Sequence, residues 1–162
     1  SFEFTTRSWS AGTDGPVRGK VVKQPESLDE LEDMREELAG SWVLAKAPAR
    51  GRRRGVVADT ERPDMREEIE AALAEIGILG KIVSVQGEIV TTSSLGGWRD
   101  MSFDDLPTDV SIRVRRSDYD SINSRLADGE TVEVEANLKH HFTEGPISLY
   151  NVVAEPSSPT RS

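Results

Sequence analysis

Apolar residues recur along this chain at two different spacings, and the switches between them predict the order of its elements. At spacings of three to four residues stand Leu28, Leu31, Met34 and Leu38, then Met65, Ile69, Ala72, Leu73 and Ile76, then Tyr119, Ile122 and Leu126. Each set gives one apolar stripe on a helix, with acids on the opposite face in the first two. All three open on a capping signature, Ser27-Leu-Asp-Glu30, Asp64-Met-Arg-Glu67 and Ser117-Asp-Tyr-Asp120. In these a short polar side chain caps free amides and the acid three residues on reciprocates. Gly40 and Gly77 are the expected stops of the first two helices.

Between the helices the pattern changes to that of strands. Residues 17–23 read as a strand interrupted by Gly19 and ended by Pro25, and Ser41 to Lys46 is a continuous apolar run suited to an interior strand. Residues 47–54 form a proline and arginine turn, and 55–58 suit a short strand. Lys81 to Val85 follows the second helix after a tight connection, the order of a parallel crossover. Gly87 bends the chain before Glu88-Ile-Val-Thr91, and residues 92–109 make a long loop. Further strands are expected at 111–116, at 131–138 with strict alternation after an Asp128-Gly129 turn, and at 148–154. The fold class is therefore mixed α/β, with a partly closed sheet and two or three flanking helices. Residues 1–16 form an arm whose Phe2, Phe4 and Trp9 should pack on the domain, 17–155 form the domain, and 156–162 are a polar tail or linker.

Composition narrows the function classes. The 162 residues suffice for one domain, and 30% charged against 36% hydrophobic residues fits a folded chain with a solvated surface. Twenty basic against 29 acidic residues give a net charge of −9, a field that repels phosphate backbones, so nucleic acid is not an expected partner. No apolar run approaches the roughly 20 residues needed to span a bilayer. The first residues are polar and mixed, without the basic-then-apolar order of a leader. Absence of Cys excludes disulfides, thiolate nucleophiles and Cys-ligated metals.

Little catalytic chemistry is available. His140 and His141 are the only histidines, and on an extended chain they point to opposite faces, so they read as solvated strand-end residues instead of joint zinc ligands. Asp100, Asp104, Asp105 and Asp109 cluster in the long loop without the ordered spacing of a calcium loop. Ser93 and Ser94 lack a nucleophile elbow. Arg50, Arg52, Arg53 and Arg54 make a compact basic turn able to grip an acidic protein surface, or simply to be solvated. Trp98, followed by Arg99 and preceded by Gly96 and Gly97, is either a binding anchor or a pin holding the loop down.

Four segments carry a family resemblance: Trp9-Ser-Ala-Gly-Thr-Asp-Gly-Pro-Val-Arg-Gly-Lys-Val-Val22, Leu38-Ala-Gly-Ser-Trp-Val-Leu44, Met101-Ser-Phe-Asp-Asp-Leu-Pro107 and Glu144-Gly-Pro-Ile-Ser-Leu-Tyr-Asn-Val-Val-Ala-Glu155. Together they bracket nearly the whole chain, which resembles the protease-associated (PA) domain of bacterial aminopeptidase-like zinc metallopeptidases. Ile76-Gly-Ile-Leu-Gly80 departs from the Gly-Ala-x-Gly turn usual there, since Ile78 replaces the Ala. The chain also lacks the Cys that many relatives carry after the Trp42 strand. The resemblance implies a non-catalytic accessory domain that shapes substrate access or makes protein contacts, with a free-standing protein-binding module as the alternative. It implies no cofactor in this chain and zinc only in a separate catalytic domain, which would be a partner together with peptide or protein substrate. It further implies a secreted, periplasmic or cell-surface location, with Trp98, Arg99, Arg52, Arg53 and Arg54 as partner-facing candidates and no catalytic residue.

Overall fold

A computed structural model describes residues 2–45, 65–94, 102–145, 148 and 150. Trp98, Arg99, Arg50 and Arg52 to Arg54 lie outside the described residues, as do Asp64, Asp100 and the strand expected at 55–58. Most of the strand expected at 148–154 lies outside them too.

The central sheet grows from three parallel pairings. Strands β3 (Val17–Lys23), β4 (Trp42–Ala45), β5 (Gly80–Ser84) and β7 (Ser111–Val114) lie side by side and parallel. Two antiparallel strands complete it, β1 (Phe4–Thr5) against β7 and β8 (Glu133–Ala136) against β3. The order is β1-β7-β5-β4-β3-β8, and the arm also contributes β2 (Arg7–Ser8), which pairs with β6 (Ser93–Ser94). Side chains from β7 and from β8, near opposite ends of that order, meet in one apolar cluster with Trp42, Leu44 and Ile82. The sheet is thus curled into a half-barrel, the mixed α/β architecture the pattern implies.

Two apolar layers hold it. On the convex face Val22 and Val43 pack under Leu31, Leu38, Ile69 and Leu73, which belong to helices α1 (Leu28–Asp33), α2 (Arg35–Leu38) and α3 (Met65–Ile76). Helix α4 (Arg116–Ala127) places Ile122 in the concave cluster. Helices α2 and α3 end at Gly40 and Gly77, whose φ of 67° and 80° fall in the left-handed region that favours glycine, and Gly40 N donates to Gly77 O at 3.1 Å. Gly19 serves close approach: a Cβ there would lie 2.5 Å from Leu79 Cδ1 and 2.8 Å from Gly40 O.

Several expectations need correction. The 28–38 helix is broken at Met34, whose backbone (φ −98°, ψ 5°) leaves helical geometry, and Leu28 is exposed. Met65 is 55% exposed, so the α3 seam is Ile69 and Leu73 flanked by Ala72 and Ile76. Ser27 does cap α1, accepting from Glu30 N at 3.2 Å, but the Glu30 carboxylate accepts from Glu26 N instead of returning to Ser27. Ser117 is not the cap of α4. The helix begins one residue earlier, and Glu88 supplies the acceptors, taking Ser117 N at 3.1 Å and the Ser117 hydroxyl. Residues 88–91 belong to no regular element. The 131–138 alternation holds in burial, every even position being buried, although regular pairing covers only β8.

Candidate functional site

Parallel strands in α/β proteins are normally covered on both faces, and their side chains are correspondingly apolar. Here β5 and β7 break that rule on the convex side. Ile82, Ile112 and Val114 point to the concave core, while Lys81, Ser111 and Arg113 occupy the alternate positions. Helix α3 lies to one side of this polar strip, and the arm and the end of the long loop border the other. The result is a cleft of about 290 Å³, with Arg7 from the arm, Arg66 and Glu70 from α3, Lys81 from β5 and Asp109 from the loop around it.

The cleft side chains are positioned by identifiable contacts. Lys81 and Glu70 form an ion pair between strand and helix, at side-chain exposures of 16% and 33%, and Gln24 Nε2 donates to the second Glu70 oxygen at 3.4 Å. Arg7 sits at a tight corner in which the buried Ser10 hydroxyl donates to Arg7 O at 2.9 Å. Trp9 in that corner has φ 64°, a costly left-handed conformation for a bulky residue, and its ring stacks on Phe142 at 5.9 Å between centroids. Arg113 donates to Thr91 O at 3.4 Å. Burial first, and then the neighbouring Arg7 charge, push the Arg113 guanidinium below its ordinary pKa.

His140 braces the same corner from the other side. Ser10 O only accepts, so the 2.8 Å contact assigns a proton to Nδ1, while Nε2 lies 3.4 Å from the Thr6 hydroxyl. His140 is thus half-buried and bonded, not the solvated strand-end residue expected, while His141 is exposed. A second groove of about 370 Å³ opens at the half-barrel seam between β1 and β8, where Phe2, Phe4, Ile112, Val114, Val134 and Ala136 meet Glu133 and Glu135. Trp9 packs as the arm reading requires, but Phe2 and Phe4 stay 41% and 43% exposed in this seam.

The structure brings Asp109 into the cleft and leaves Asp104 exposed outside it. Among the described residues no group of three His, Cys, Asp or Glu is placed to hold a metal ion. No described helix is long and apolar enough to cross a membrane. Sequence reading missed Arg7, Arg66, Glu70, Lys81 and Arg113. The available signal was the polar alternation of Lys81, Ser111 and Arg113 in strands expected to lie under a helical layer.

No protein-family model matches the chain, and no curated protein matches it. Among solved structures the fold is similar to an aminopeptidase from Aneurinibacillus sp. strain AM-1, with a TM-score of 0.55 and 14% identity over 84% of this chain and 27% of that one. A peptidase M28 precursor from Shewanella amazonensis SB2B aligns with a TM-score of 0.46 and 18% identity, over 85% of this chain and 31% of its own. The likeness to the Aneurinibacillus enzyme is one of fold. The chain spans less than a third of the length of either peptidase.

Proposed function

We propose that this chain is a protease-associated accessory domain of a zinc-dependent aminopeptidase-like metallopeptidase, itself non-catalytic, which shapes substrate access beside a separate catalytic domain. The observation that carries the reading is the fold match covering 84% of this chain but only 27% of an aminopeptidase. The residue content agrees with it, because two histidines and no cysteine leave little from which to build a zinc site. Trp98 and Arg99 in the 92–109 loop, together with Arg52, Arg53 and Arg54, are the proposed partner-facing elements. Of the described residues next to these segments, Ala45 and Arg66 on either side of the first, and Pro107 and Asp109 at the end of the second, line the cleft. The parent enzyme in this reading is secreted, periplasmic or on the cell surface.

The test has two parts. The isolated chain, after exhaustive buffer exchange and re-addition of zinc, should retain no stoichiometric zinc and hydrolyse no aminopeptidase substrate. Turnover with bound zinc would overturn the non-catalytic assignment. The reading frame of the gene should encode a His/Asp/Glu zinc set beyond this segment; a frame lacking one would favour a free-standing protein-binding module.

A further inference from the structure

We infer that the convex-face cleft recognises a peptide segment that presents a single carboxylate beside an apolar side chain. The inference deepens the accessory-domain reading and rests on it for the source of the peptide, while the ligand chemistry comes from the cleft itself.

Among the described residues three cations, Arg7, Arg66 and Lys81, and two anions, Glu70 and Asp109, line the cleft, an excess of three minus two, or one positive charge. This local excess stands on a chain whose net charge is −9. A field of that sign draws in an anion, and an excess of one charge matches a carboxylate better than a dianionic phosphate. Lys81 is already committed to Glu70, so Arg7 and Arg66 are the groups left to grip the incoming carboxylate. Guanidinium groups suit this task because their planar donor forks match the two carboxylate oxygens.

The cationic side is also held under mutual repulsion. Arg113 projects from the same face of β7 as Ser111, which lines the cleft, and its charged form is disfavoured by burial and by Arg7. A bound anion close to both would relieve that repulsion, which gives the site an electrostatic reason to prefer the occupied state. The corner that fixes Arg7 is rigid, built on the Ser10 to Arg7 hydrogen bond, the left-handed Trp9 and the His140 brace. Preorganisation of this kind reduces the ordering cost of binding.

The remaining surface of the cleft selects the other half of the ligand. Ala45, Val83 and Pro107 supply apolar walls among the charges. A volume of about 290 Å³ lies at the lower edge of the range of roughly 300 to 1,000 Å³ usual for ligand sites, which suits the end of a peptide and not a dinucleotide. The seam at Phe2 and Phe4 has Glu133 and Glu135 among its lining residues and so disfavours an anion.

The experiment titrates the whole 162-residue chain with the tripeptide Ala-Ala-Leu bearing a free carboxylate, with its C-terminal amide, and with inorganic phosphate. Amide NMR shifts and calorimetry are the readouts. Expected is saturable binding of the free acid, with shifts centred on Arg7, Arg66 and Ser111, at least about tenfold tighter than the amide. Arg7→Gln and Arg66→Gln should each weaken it about tenfold, whereas Asp109→Asn, which removes a repelling carboxylate at an exposed position, should tighten it. Arg66 is exposed on α3, so an unchanged unfolding midpoint for its variant separates lost binding from lost folding. Equal affinity for acid and amide, phosphate binding as tightly as the acid, or no saturable shift in the cleft would each overturn the inference. Acid-selective binding by a chain whose gene lacks a zinc set would preserve the cleft and remove the peptidase reading, and the opposite pair of results would do the reverse.

Discussion

Helix α3 offers a sharp test of the packing because two residues of its sequence stripe have opposite environments. Leu73 is 0% exposed beneath the convex layer, while Met65 is 55% exposed at the first turn. Leu73→Ala removes about three methylene equivalents at ~0.8 kcal/mol each, or about 2.4 kcal/mol of transfer free energy. Incomplete collapse around the site adds a cavity cost, which places the expected loss at about 3 kcal/mol within the range of roughly 2 to 5 seen for such truncations. For a chain of this size 1 kcal/mol shifts the thermal midpoint by about 2 to 4 °C, so the variant should melt about 6 to 12 °C lower. Met65→Ala deletes mostly solvated surface and substitutes a better helix former, and its midpoint should stay within about 2 °C of the parent. Calorimetry, with agreement between calorimetric and van't Hoff enthalpies as the two-state check, measures both. A Leu73→Ala shift below about 3 °C, or equal shifts for the two variants, would refute the assignment of α3's buried face.

Two further predictions concern polar contacts. Glu70→Gln should cost about 1 to 3 kcal/mol because it strands the largely covered Lys81 ammonium, and the double variant Glu70→Gln/Lys81→Met should lose less than the two single losses added; additivity within about 0.5 kcal/mol in urea unfolding would show the pair to be uncoupled. Glu88→Ala should cost about 1 kcal/mol by leaving the first turn of α4 without its acceptor, and most of that loss should vanish in a Ser117→Ala background if the side-chain bond carries it, whereas undiminished loss there would assign the effect to the Ser117 amide.

Much of the fold is legible in the chain because apolar periodicity is imposed by the core itself. The 131–138 alternation forecasts every buried position, and the uninterrupted run around Trp42 forecasts an interior strand whose four residues are all buried. The glycine stops at 40 and 77 are legible for a similar reason, since a left-handed helix end selects a residue without a side chain. Errors concentrate at element ends, where neighbours remote in sequence decide the outcome. Periodicity assigns Met65 to a seam, but at the first turn of α3 it stays 55% exposed. Ser117 carries a cap signature, yet Glu88, 29 residues earlier, occupies the role. A local rule identifies which group can satisfy a helix end; it does not reveal that another group arrives first.

The cleft is illegible for a stronger reason. Arg7, Arg66, Lys81 and Asp109 lie in four separate segments with no shared spacing, and they meet only because the sheet order sets β5 between β4 and β7. No motif search along the chain can recover such a set. The sequence does carry its negative image: a parallel strand that opens on Lys81, and a second that alternates Ser111 and Arg113 with Ile112 and Val114. In a sheet otherwise covered by α1, α2 and α3, polar residues at those positions are affordable only where the helical layer is missing. Compatibility with water would require only polar residues there, of either sign. Among the described residues this predominantly acidic chain instead sets three cations against two anions around one cleft and places Arg7 near Arg113, whose charged form is disfavoured first by burial and then by Arg7. That asymmetry is the ground for the anionic ligand proposed for the cleft, since a surface merely left open to solvent needs no excess of either sign.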